Sequence, residues 1–114
     1  MSKEQMNVDQ NTLVDAWKKQ LPEYLNPGDS AKVQADMANP QGLRIHINAA
    51  GHQMFSFDFS CSYMDPREVR VELVDVERAG RTVAEHTAQI QELTGDYVRH
   101  IHECAQALGQ LTNP

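Results

Sequence analysis

The pattern of apolar residues predicts an α+β domain. It should have an N-terminal helix, a four-stranded antiparallel meander, and a long C-terminal amphipathic helix packed on one face of the sheet. Three observations predict this. Apolar residues from Leu13 to Leu25 recur every three or four positions, those from Val33 to Leu73 recur every two, and those from Val83 to Leu111 return to the helical spacing.

In the first helix Leu13, Val14, Trp17, Leu21, Tyr24 and Leu25 share one face. Asp9 or Asn11 can cap its start. Pro22 lacks an amide hydrogen and clashes with the preceding turn, so the helix should end or kink near Gln20. Asn26-Pro27-Gly28-Asp29 then reads as a turn.

Four period-two segments follow. Val33, Ala35 and Met37 alternate with Lys32, Gln34 and Asp36. Leu43, Ile45 and Ile47 alternate with Arg44, His46 and Asn48. Phe55, Phe57, Phe59, Cys61 and Tyr63 alternate with Ser56, Asp58, Ser60 and Ser62, and Val69, Val71 and Leu73 alternate with Arg70 and Glu72. Each segment reads as a half-buried strand. Short joints at 39–42, 49–51 and 65–68 imply sequential antiparallel neighbours. A three-residue hairpin at Ala49-Ala50-Gly51, with Gly51 at positive φ, pairs Ile47 with Gln53 and Ile45 with Phe55 and keeps the apolar faces together. In the same register Asp36 falls opposite Arg44, and Arg44 opposite Ser56. At Leu73-Val74-Asp75-Val76 the apolar phase slips by one residue. A β-bulge near Val74 would restore it; otherwise Val74 and Val76 form a patch on the other face.

From Gly80 onward Val83, His86, Ile90, Leu93, Tyr97, Ile101, Cys104, Leu108 and Leu111 make a helical stripe. Thr82 and Glu85 offer a capping box. The stripe stays in phase across Gly95, which favours one continuous helix. Such a helix is about 45 Å long at 1.5 Å per residue, against about 33 Å for the strands. It should then overhang the sheet, making Ile101, Leu108 and Leu111 candidates for an interface with a second copy or another protein.

The chain of 114 residues is expected to be one domain, frayed at residues 1–8 and 112–114. Ten Lys and Arg against sixteen Asp and Glu give a net charge of −6, which argues against a nucleic-acid partner. No segment has the long apolar run of a membrane span. Cys61 and Cys104 form no CxxC pair and the N-terminus shows no apolar signal region, so a cytoplasmic protein with free thiols is expected.

No residue set amounts to a catalytic, cofactor or metal motif. His100 and Cys104 can share a helical face but His102 points elsewhere, which is poor geometry for zinc. His46 and Asp58 share the polar sheet face while Cys61 lies on the other, so a Cys–His nucleophile is excluded. An acid–base pair of His46 and Asp58 would lack oxyanion donors. The polar sheet face reads as a solvated, charge-matched surface. At the level of fold alone, the αββββα order, small size and acidic charge resemble small bacterial chaperone-like, immunity-type and phage accessory proteins, and a fold by itself does not determine function.

Two functional readings follow. The first is a non-catalytic protein-interaction module that self-associates through the C-terminal helix. The second is a small-ligand binder or small enzyme with a pocket between sheet and helix, with Tyr63, His86 and Tyr97 near its mouth.

Overall fold

A computed structural model describes residues 8–51, 55–83 and 87–113. Within these residues the chain runs through α1 (Gln10–Gln20), a 3₁₀ turn (Leu21–Tyr24), β1 (Ser30–Ala35), β2 (Gly42–Asn48), β3 (Phe55–Tyr63), β4 (Val69–Arg78), β5 (Arg81–Thr82), α2 (Ala88–Ala107) and a last short helix, α3 (Gly109–Thr112). The expected α+β architecture holds, with a fifth, two-residue strand added: the sheet is antiparallel and its strands lie in sequence order, β1-β2-β3-β4-β5.

Helix α1 starts where the sequence expects. Asp9 is the N-cap, and its Oδ1 accepts from the Thr12 amide at 2.7 Å. Those hydrogen bonds to the Thr12 amide and side chain hold the Asp9 carboxyl below its ordinary value. The α-helix ends at Gln20 and Pro22 sits in the 3₁₀ turn that follows. At the next joint the Asp29 amide donates to the Asn26 carbonyl at 3.0 Å. Gly28 has φ +89°, which suits the third position of a type II turn with Pro27 before it. A Cβ at Gly28 would also meet the Ala50 Cβ at 3.0 Å, so both backbone and packing call for glycine there.

Every strand turns one face inward. Val33, Leu43, Ile45, Ile47, Phe55, Phe57, Phe59, Cys61, Tyr63, Val69 and Val76 are buried in one core with Leu13, Trp17 and Leu21 from the N-terminal helical segment and with Ile90, Tyr97, Ile101 and Cys104 from α2. Trp17 packs edge-on against Tyr63 at 6.5 Å between ring centroids, and its Nε1 donates to the Tyr63 hydroxyl at 3.2 Å. That bond satisfies two polar groups that would otherwise be costly in an apolar site.

The phase slip in β4 is a bulge. Asp58 pairs with Asp75 but Phe59 pairs with Leu73, which leaves Val74 as the extra residue. Val74 is exposed and Val76 is fully buried, so the bulge returns the strand to the common apolar face.

Three expectations are corrected. The β2–β3 register is Ile45↔Phe59 and Ile47↔Phe57, four residues from the expected pairing, and β1–β2 places Gln34, not Asp36, opposite Arg44, which itself lies opposite Ser60 rather than Ser56. Gly51 does have positive φ, +65°, but it belongs to a longer connection, closed where the Ala49 amide donates to the Phe55 carbonyl at 3.0 Å. A shift by an even number keeps every apolar residue on its face, so alternation could not distinguish these registers. The second correction is the start of the long helix. Residues 81–82 continue the sheet, and the N-cap is Thr87, whose hydroxyl accepts from the Ile90 amide; Thr82 pairs with Glu77 instead. The third is length. Helix α2 is unbroken at Gly95, as expected, but its 20 residues span about 30 Å, close to the length of the strands.

Between β4 and β5, Ala79 and Gly80 form a two-residue turn with φ +53° and +82°. Positive φ at both positions marks a hairpin turn in which Asn-Gly is favoured, and an Ala at the first position carries strain. Ala79→Asn is expected to raise stability by about 1 kcal/mol, read as a higher urea midpoint at unchanged slope. An unchanged or lowered midpoint would show that the turn is not strained.

Candidate functional site

With both helices on the apolar side, the other side of the sheet is left to polar residues. Register sets them in rows. One row runs Lys32, His46, Asp58, Asp75; a second runs Gln34, Arg44, Ser60, Glu72; a third runs Ser30, Asn48, Ser56, Glu77, Thr82. Lys32 and Arg44 lie on β1 and β2, Asp58, Asp75 and Glu77 on β3 and β4, and on β4 Arg70 pairs with Glu72 at 2.7 Å.

His46 and Asp58 form the most buried charged pair on this face. Nδ1 of His46 lies 2.7 Å from Oδ1 of Asp58, with both side chains about one-third exposed. A carboxylate accepts, so Nδ1 carries a hydrogen and Nε2 faces outward. The pair borders an open hollow of about 500 Å³ lined by Lys32, Gln34, Arg44, Ile45, His46 and Asp58. Parity places both residues on this face; their pairing comes from the observed register, which sets His46 directly opposite Asp58.

On its other side Asp58 meets Asp75. These two are directly opposite across β3 and β4, and the carboxylate oxygens of Asp58, Asp75 and Glu77 all lie within 4.8 Å of one another. The Thr82 hydroxyl donates to Asp75 at 3.4 Å. Sequence reasoning missed this cluster although its signal was present. Once the bulge is placed at Val74, Asp75 and Glu77 flank the inward Val76 and must point to the polar face.

The residues singled out in the sequence are placed as follows. Tyr63 and Tyr97 are core residues, 4% and 0% exposed. Each hydroxyl is engaged, Tyr63 by Trp17 and Tyr97 as a donor to Asp29 Oδ2 at 3.1 Å. His86 lies outside the described residues. Ile101 is fully buried in the chain's own core, and Leu108 and Leu111 are half-buried around the end of α2. In the segment after Tyr97, His100 is bonded to Glu103 at 2.8 Å, His102 is exposed and Cys104 faces the core, so the three do not converge.

Neither thiol is placed for nucleophilic chemistry. Burial pushes Cys61 up to about 12, with a smaller contribution from Cys104, and burial likewise raises Cys104 to about 12, with Glu23 adding to it. Cys61 and His46 lie on opposite faces of the sheet, as parity requires. Burial also raises both tyrosines well above their ordinary value; in Tyr97 the charge of Asp29 adds to it.

Asp29 is the polar residue that joins most segments. Its carboxylate accepts from the Asn26 amide at 3.1 Å, from the Ala50 amide at 2.7 Å and from the Tyr97 hydroxyl. It thus ties the α1–β1 turn, the β2–β3 connection and α2 together. From the sequence it was visible only as a turn residue.

No family model matches the chain, and no curated protein or solved structure matches it.

Two outcomes follow. Like charges opposite one another across strands are destabilising, so Asp75→Asn should stabilise by about 0.2–1 kcal/mol, with the gain shrinking at high salt. A loss of stability would show that the cluster is compensated. Second, the raised thiols and phenols keep protons in the folded state that the unfolded chain releases. That stability is fully present below the ordinary values of about 8.5 for Cys and 10 for Tyr. It is lost as pH rises through the folded values. The urea midpoint should therefore fall progressively above about pH 9. A flat midpoint up to pH 11 would contradict the burial of these groups.

Proposed function

We propose that this chain is a non-catalytic protein-interaction module. The observation that carries this reading is the polar sheet face: among the described residues, helices pack on the other face only. The polar face offers rows of charged and hydroxyl side chains of both signs, and no assembled nucleophile or oxyanion site accompanies the His46–Asp58 pair among the described residues. Open polar surfaces of this kind suit recognition of a protein by charge and register more than enclosure of a small substrate.

The surface of this interaction is the sheet rather than the end of the C-terminal helix. Ile101 is fully buried in the chain's own core and Leu108 and Leu111 are half-buried, which leaves little apolar surface there for a partner. A pocket between sheet and helix is disfavoured because Tyr63 and Tyr97 fill that space with their hydroxyls satisfied.

The test is comparative capture from the native host. Full-length wild type is set beside Arg44→Glu/His46→Glu, which alters the exposed face, and Lys32→Glu, which sits between face and edge. At least one protein should be retained by wild type and lost by a variant whose circular dichroism and melting are unchanged. Identical captures by all three, with catalytic turnover of a small molecule traced to the purified chain, would overturn the reading.

A further inference from the structure

We draw no further inference here: the strongest candidate, the carboxylate cluster of Asp58, Asp75 and Glu77 beside His46 on the polar face of the sheet, belongs to the site already described, and nothing else in the structure shows which ligand it would take.

Discussion

Everything in this molecule depends on the sheet having one apolar face. Eleven strand side chains project to that side, and all the helical packing is drawn to it. Burying such a face contributes on the order of 25 cal/mol per Å² of apolar surface, the dominant favourable term in a domain of this size. The cost of the arrangement is that the second face receives no helix. Its residues must be compatible with water, and they are. The bulge at Val74 shows how strong the constraint is: the strand gives up one regular ladder position so that Val76 can return to the core.

Polar contacts then determine how the layers meet. Trp17 and Tyr63 join α1 to the sheet through a buried hydrogen bond. The Gln10 side-chain amide lies within 3.0 Å of the carbonyls of Asp36, Asn39 and Gly42, tying the start of α1 to the β1–β2 turn. Asp29 joins two loops to α2 through Tyr97. These contacts are few, but each removes an orientation that apolar packing alone would tolerate, because hydrophobic burial is non-directional. The result leaves α2 with its apolar residues turned inward and the polar residues of the sheet on the other side.

Much of this was legible in the residues. Capping by Asp9, the end of α1 before Pro22, the turn at 26–29, the positive φ of Gly51, the continuity of α2 through Gly95 and the shared face of His46 and Asp58 all follow from local stereochemistry or parity. The bulge was one of two readings that the sequence allowed, and the cluster of Asp58, Asp75 and Glu77 was implicit in it. The hairpin register was not legible, since pairings that differ by an even number of residues share one hydrophobic pattern. Nor was the start of α2. Val83 satisfies a helical stripe and a strand equally well, and its amide bonds to Val76 because the Ala79–Gly80 turn carries the chain back along β4.

The sequence by itself determined the class of fold, the order of its principal elements and the face each residue presents, because these are properties of short stretches governed by steric preference and periodicity. Only the tertiary structure decided which residues stand opposite one another, where the sheet ends and α2 begins, and how far that helix reaches. Those outcomes rest on contacts between distant segments, such as Asp29 with Tyr97 and Trp17 with Tyr63, whose energies are not written in any local window. The position of β1 in the sheet belongs to the same group: it is a strand by its sequence, but it is terminal only because no other described strand pairs beside it.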